Sequence, residues 1–422
     1  MRKISKYLSL ALVLVMALVT VTACGNRGGA DGNHSQGVTD DAILIGNTAA
    51  TSGALAFVGA PFVAGMQAYL DIVNAAGGVH GRQIEFIHID DGFEAPRGIA
   101  ATHELIHDRQ VFALVGHFGT PTISATLPEI FEVGIPAVYF ASGISQLHIP
   151  NAATVETGQR IFPVQPIFGP EGYVLVARAL SEYNVTTLGI IHSNDEAGQD
   201  MLQGARNQAA QFPAVSVVEA QVTPEDPVSV ASAVLAMQNA GVDVIVAATI
   251  QNTFPLIVSA MAGQGVSVPV FTSYVSADAT TIALFASDYL GAGANFPVYA
   301  TAWLDIFDPN DPEAFHPDTL AFMAGVGPEF EDNAFAMAGW TAANMFIQGL
   351  RLVDSNNITW ENLTTVMENN LIEIPMGGTM DFSNGQRTGT TSMTLNRADV
   401  AAGVWTPHRP FALLSEIVAG IN

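Results

Sequence analysis

The chain has 422 residues, too long for one compact core and the right length for two domains of ordinary size. It is 49% hydrophobic and 13% charged, yet only Tyr7–Val21 forms a long apolar run, which excludes a polytopic membrane protein and a disordered chain. Fourteen basic residues stand against 39 acidic ones, a net charge of −25, and a surface of that sign repels phosphate backbones, which excludes nucleic acid as a partner.

Residues 1–23 have the layout of a secretory signal peptide: a basic start (Arg2, Lys3, Lys6), an apolar centre, then small residues. Val21-Thr22-Ala23-Cys24 resembles a bacterial lipobox, and Cys24, the sole cysteine, is the expected lipidation site. The alternative is an ordinary signal with an incidental Cys. One cysteine permits neither an intrachain disulfide nor a Cys-based metal site. Without residues 1–23 the chain keeps 11 Arg, no Lys and 39 acidic residues, a net charge of −28. Residues 24–40, rich in Gly and Asn, are expected to be a flexible linker to the anchor.

The body opens with a strand at Ile43–Gly46, a helix over 59–75 stopped by Gly77-Gly78, and a strand at Ile84–Ile89. A helix over 95–108, a buried strand at Val111–Val115, a helix over 122–132 and a strand at Ile135–Phe140 follow. The pattern then restarts with a helix over 171–183. Strands at Leu188–His192, 215–221, Val242–Ala248 and Val268–Phe271 alternate with helices over 197–211, 229–240, 253–263 and 277–287. The remainder holds an acidic, Pro-rich surface loop (Phe307–Pro317), helices over 333–353 and 360–369, and a β-rich end from 378. Strands alternating with helices of this length indicate βαβ units, so the expected class is α/β with two similar lobes built on parallel sheets.

One sharp motif stands out. His103-Glu104-Leu105-Ile106-His107 matches H-E-x-x-H, which sets two His one helical turn apart to hold zinc, with Glu as base and Glu129 or Glu132 as third ligand. The competing reading is a surface helix with Leu105 and Ile106 turned inward. That reading is preferred, because a buried strand begins at Val111 and leaves no room for a catalytic cleft. No metal, cofactor or catalytic residue is therefore expected. Phosphate-binding loops are also absent, since the body has no Lys to complete one.

What remains is a set of Ser/Thr/Gly-rich loops at the C-terminal ends of strands, where open α/β sheets bind ligands. They are Thr48–Phe57, Gly116–Thr122, Ala141–Ser145, Ser193–Gly198, Thr249–Thr253 and Thr272–Asp278. Hydroxyls and exposed N–H groups there suit a small anionic or zwitterionic solute.

The body resembles the periplasmic solute-binding proteins of the leucine/isoleucine/valine-binding type that serve ABC transporters. The resemblance covers nearly all of 41–400. Its most specific stretch is AYLDIVNAAGGVHGRQIEFIHIDDGFEAPRGIA, with support from ILIGNTAATSGALAFVG, VFALVGHFGTPT and MGGTMDFSNGQR. The family fold it implies is two doubly wound α/β lobes joined by three crossover strands: lobe 1 from 41–164 plus 301–385, lobe 2 from 165–300 plus 386–422. The implied function is non-enzymatic. The lobes close by hinge motion on a branched-chain or other hydrophobic amino acid, and the protein, a monomer, delivers it to a membrane permease.

Carried over position by position, the ligand carboxylate falls to Thr120, Ala141, Ser142 and Gly143, within a site that also takes Ser52, Phe57, Asp195, Gln251 and Tyr274. The second lobe departs from the pattern. Ala197 stands where an aromatic is usual, Ile250 where Tyr is common, and Val275 where amino-acid binders place the Glu that holds the ammonium. Asp195, Glu196 or Asp278 are the replacements on offer. A more apolar pocket for an aromatic or aliphatic carboxylate, or an amide, is thus the alternative ligand class, and a receptor-coupled sensor the alternative role.

Overall fold

The computed structural model describes residues 33–149, 160–250, 252–304 and 317–420. The expected signal peptide, Cys24, Gln251 and nearly all of the Pro-rich loop lie outside the described residues.

In chain order, the first lobe begins with β1 (Ala42–Ala49), α1 (Ala56–Ala75), β2 (Gln83–Asp90), α2 (Ala95–His103), β3 (Ala113–Phe118), α3 (Thr120–Val133), β4 (Ala137–Ala141) and the short β5 (Ile161–Phe162). These strands form one parallel sheet in the order β2-β1-β3-β4-β5. Next come α4 (Phe168–Glu182), β6 (Thr187–Ser193), α5 (Glu196–Ala209), β7 (Ser216–Val222), α6 (Pro227–Ala240), β8 (Val244–Ala248), α7 (Thr253–Gln264), β9 (Val270–Thr272), α8 (Ala279–Gly291) and β10 (Val298–Ala302). The tail supplies α9 (Pro317–Val326), α10 (Ala334–Leu352), α11 (Trp360–Asn369), β11 (Ile372–Glu373), β12 (Thr379–Met380), β13 (Ser392–Asp399), β14 (Val404–Leu413) and α12 (Leu414–Ala419). The second sheet runs β14-β13-β10-β9-β8-β6-β7, parallel except for its antiparallel edge pair β13 and β14.

This is the expected two-lobe α/β architecture. β3 and β8 are buried along their whole length, as strands covered by helices on both faces must be. One apolar core runs from the first sheet through to the α4–α5 side of the second, while a separate core fills the α6–α8 side. The tail returns to the first lobe through α9 and α10, which pack on α1, and crosses back before β13. At the hinge the crossovers lie side by side: Thr390 N donates to Val164 O at 2.8 Å.

Each lobe has one helix pair in backbone contact. A Cβ on Gly65 of α1 would sit 2.0 Å from Ala336 O, and one on Gly339 of α10 would sit 1.8 Å from Phe62 O. Gly172 and Gly204 do the same for α4 and α5, at 2.1 Å from Met201 O and 1.9 Å from Gly169 O. Only glycine permits approaches this close.

Four expectations are corrected. The linker does not stay free to residue 40: Gln36 Nε2 donates to Val111 O at 3.0 Å, and His34 Nδ1 accepts from Ile358 N at 3.0 Å. Gly37, at φ +75°, lets that segment run against Phe112 N. The helix expected over 95–108 is α-helical only to His103, and Glu104–Asp108 form a π turn. β10 belongs to the second sheet and ends at Ala302, past the crossing expected at 300. Finally, the helical stretch Gly53–Ala75, at 23 residues, is long and apolar enough to cross a membrane by length and composition. Gln67 and Asp71 interrupt it, and its longest run without a polar side chain is Gly53–Met66. Half of its apolar 18-residue window is buried within the protein, as for a core helix.

Candidate functional site

A narrow cavity between the lobes, partly open to solvent, leaves a volume of about 60 Å³ for the centres of water-sized molecules. Its first-lobe wall comes from α1 (Val58, Phe62), the end of β3 (Phe118), Thr120, Ala141, Ser142 and the start of α10 (Ala334, Phe335, Ala338). The second-lobe wall comes from Phe168, Ile250, Tyr274, Val275, Ala277 and Asp278, and the hinge adds Gln165, Ala302, Trp303 and Leu304.

The polar end is built by a tight strand-to-helix turn. Gly119, at φ +96°, ends the β3 edge of the turn and starts α3, which sets Thr120 at the helix N-terminus. A Cβ at Gly119 would meet the Phe93 ring at 2.8 Å. Thr120 Oγ1 and Ser142 Oγ lie 2.8 Å apart, both buried. One hydroxyl donates to the other, which leaves one hydrogen for a ligand acceptor. The positive end of the α3 dipole favours an anionic head at the same place.

A second polar group sits at the hinge. Gln165 Nε2 donates to Tyr139 Oη at 2.8 Å, and Tyr274 Oη donates to Gln165 Oε1 at 3.2 Å. Burial pushes both tyrosine hydroxyls up, so the network is neutral. The remaining wall is aromatic: Phe168 stacks on Tyr274 at 6.0 Å, Tyr139 meets Trp303 at 6.1 Å, and Phe62 meets Phe118 at 5.5 Å.

Two buried carboxylates anchor this wall. Glu171 accepts from Tyr274 N at 2.8 Å, Ser273 Oγ at 2.9 Å and Thr301 Oγ1, tying α4 to the segments that carry Tyr274 and Trp303. Burial pushes its carboxyl up to about 7, against those three hydrogen bonds. Asp278 is the one carboxylate among the described lining residues. It caps α8 by accepting from Thr280 N at 2.8 Å and from Thr280 Oγ1, and its other oxygen accepts from Ala334 N of the first lobe at 2.7 Å. Burial raises its carboxyl too. Across the cleft mouth Ser145 N donates to Asp200 Oδ2 at 2.6 Å, so hydrogen bonds join the lobes on both flanks of the cavity.

Thr120, Ala141, Ser142, Ile250, Tyr274 and Val275 are brought together on the cavity wall. The other expected site residues among the described ones are not on that wall. Gly143 packs against the crossover: its carbonyl accepts from Phe168 N at 2.6 Å, and a Cβ there would meet Pro166 O at 2.4 Å. Ser52 is exposed and donates to Asp90 Oδ2. Phe57 stands behind the wall, edge-on to Phe335 at 6.5 Å. Asp195 caps α5, accepting from Gly198 N at 2.8 Å, and faces a separate surface depression with Glu196 and Asp200. Ala197 is fully buried in the core. Sequence reasoning passed over Phe62, Phe118, Gln165, Phe168, Trp303 and Phe335. Phe62 carries the same helical spacing as ordinary core residues, and Trp303 follows a strand that was not expected.

The H-E-x-x-H motif lies on the outer face of the first lobe. Glu104, the would-be base, is held by Arg109 Nε at 3.0 Å. His103 and His107 both reach Glu129 instead.

A model of the periplasmic binding protein family matches residues 42–403. An amino acid binding protein of Pseudomonas aeruginosa is 27% identical over 170 residues, 39% of this chain and 43% of the relative, so that match spans less than half of the relative's own length. A Leu/Ile/Val-binding protein homolog 1 of Brucella suis is 24% identical over 349 residues, 81% of this chain and 84% of the relative. Among solved structures, a branched chain amino acid ABC transporter from Thermus thermophilus with bound valine superposes with a TM-score of 0.76 at 16% identity, covering 91% of this chain and all of that one. A fatty acid ABC transporter substrate-binding protein from Thermomonospora curvata gives 0.75 at 17% identity, covering 93% and 98%. With its two-lobe fold, its interlobe cavity and a family match across nearly the whole body, the chain belongs to the periplasmic binding protein family.

Proposed function

We propose that this protein is the extracytoplasmic solute-binding component of an ABC importer, without enzymatic activity, and that its cleft takes a small solute with an apolar body and a carboxylate head. The lobes close on the solute by hinge motion and present it to a membrane permease. The protein works as a monomer, held at the outer face of the membrane by a lipidated Cys24.

The observation that carries the ligand class is the state of Asp278. A buried ammonium needs a carboxylate partner, and this one already accepts three hydrogen bonds, one of which joins the lobes. Val275 offers no substitute. Thr120 and Ser142 at the α3 N-terminus supply what a carboxylate head requires, and the aromatic wall suits an apolar body. Calorimetry against short fatty acids, aromatic acids and amino acids tests this reading. It expects saturable one-to-one binding of an apolar carboxylate, and binding confined to amino acids contradicts it.

A second reading keeps a branched-chain amino acid as ligand. It is favoured by the presence of Asp278 on the wall, since carboxylate oxygens accept more than one hydrogen bond each. The Pseudomonas and Brucella relatives and the Thermus structure are consistent with it, while the Thermomonospora structure is consistent with the first. The importer role predicts permease and ATPase genes beside this one, and a receptor or kinase gene there would favour a sensor.

A further inference from the structure

We propose that His103, His107 and Glu129 form a binding site for one divalent transition-metal ion, zinc first, that clamps α2 to α3 on the outer face of the first lobe. This site is independent of the solute-binding cleft.

The site spans the end of α2 and the π turn that follows it. His103 ends α2 and His107 lies within Glu104–Asp108, where Arg109 N donates to Glu104 O across the wider turn. The two imidazoles, four residues apart on one face, lie with centroids 4.4 Å apart and ring planes tilted by 44°. Turns of this kind recur at functional positions. Both rings aim a nitrogen at the same oxygen of Glu129 on α3: His103 Nδ1 at 2.8 Å and His107 Nε2 at 3.0 Å.

The three ligand atoms all lie within 4.8 Å of one another. Tetrahedral zinc, with bonds of about 2.1 Å, needs its ligand atoms about 3.4 Å apart. Rotation of the exposed rings and of the carboxylate has to open the two N···O pairs, at 2.8 and 3.0 Å, by roughly half an ångström and to close the pair of nitrogens, which lie within 4.8 Å, by at most about 1.4 Å. Two imidazoles with one carboxylate suit zinc, copper or nickel rather than calcium or magnesium, and leave a fourth position for water.

The site is not a peptidase centre. The Glu of the motif is paired with Arg109, and Glu129 serves as ligand from a different helix. The ion instead joins two adjacent helices of the first lobe. One of them, α3, begins at Thr120 in the cleft, nine residues from Glu129.

The test uses the chain without an affinity tag, stripped with chelator and titrated with zinc chloride by calorimetry. One ion per chain should bind in the micromolar range, and zinc should raise the melting temperature. His103→Ala, His107→Ala and Glu129→Gln should each weaken binding by more than about tenfold. The three side chains reach the surface and the two histidines are exposed, so the variants should keep the circular dichroism of the parent. Cobalt-loaded protein should show visible absorption that His107→Ala removes. Zinc uptake equal in the parent and in a His103→Ala/His107→Ala double variant would place binding elsewhere and overturn the proposal. Parent protein that binds no zinc below millimolar concentration would overturn it as well.

Discussion

At the residue scale the site depends on a few buried polar groups with defined partners. Thr120→Ala or Ser142→Ala removes one hydroxyl of the pair and strands the other, and each should weaken ligand binding about tenfold in calorimetry, with little change in melting temperature. Glu171 behaves differently. Its carboxyl holds a proton more tightly in the folded chain, up to about 7 against an ordinary 4.5, so its own contribution to stability is fully present below about pH 4.5 and is lost as pH rises through about 7. Glu171→Gln should flatten that fall relative to the parent by on the order of 2 kcal/mol between about pH 5 and about pH 7.5, measured by denaturant titration. Part of this site was legible beforehand. Thr120 and Ser142 follow strands whose ends could be placed, and ligand loops follow strand ends. Gly143 packs against the crossover instead of lining the cavity, and a loop glycine offering an N–H to ligand and one pressed against a crossover look the same in a sequence. Gln165 and Trp303 sit in hinge segments without periodicity, so nothing marked them.

At the scale of elements, helix pairing on glycine sets how closely the layers stack. Gly339→Val forces α10 away from Phe62 O and should destabilise the protein by about 3 kcal/mol in thermal or denaturant unfolding. Gly263, inside α7 with no neighbour within 4 Å of its missing Cβ, is the opposite case, and Gly263→Ala should stabilise by about 0.5–1 kcal/mol. The helices that carried clear apolar spacing, α1 and α10 among them, were readable to within a few residues, as were strands β1 to β4. The elements that escaped notice were short or atypical. β5 has two residues, β10 (VYATA) has five and follows Pro297 directly, and the π turn keeps a helical sequence while changing its hydrogen bonding.

Across the whole molecule, closure rests on contacts beyond the cavity wall. Asp200 touches Ser145 N from the opposite lobe and does not line the cavity, so Asp200→Ala should lower ligand affinity about threefold to tenfold by loosening the closed form alone. Small-angle scattering should then show a larger radius of gyration for the ligand-free variant than for the parent. The acidic, lysine-free surface and the two-lobe outline followed from composition and from the doubled βαβ pattern. The cavity contents did not, because the lining draws on hinge and tail segments far apart in sequence. The most direct test is a calorimetric comparison of leucine with 4-methylpentanoate, which has the same apolar body and carboxylate but no ammonium. A cleft whose sole described carboxylate already accepts three hydrogen bonds should bind 4-methylpentanoate at least as tightly as leucine. Tight binding of leucine with none of 4-methylpentanoate would contradict it.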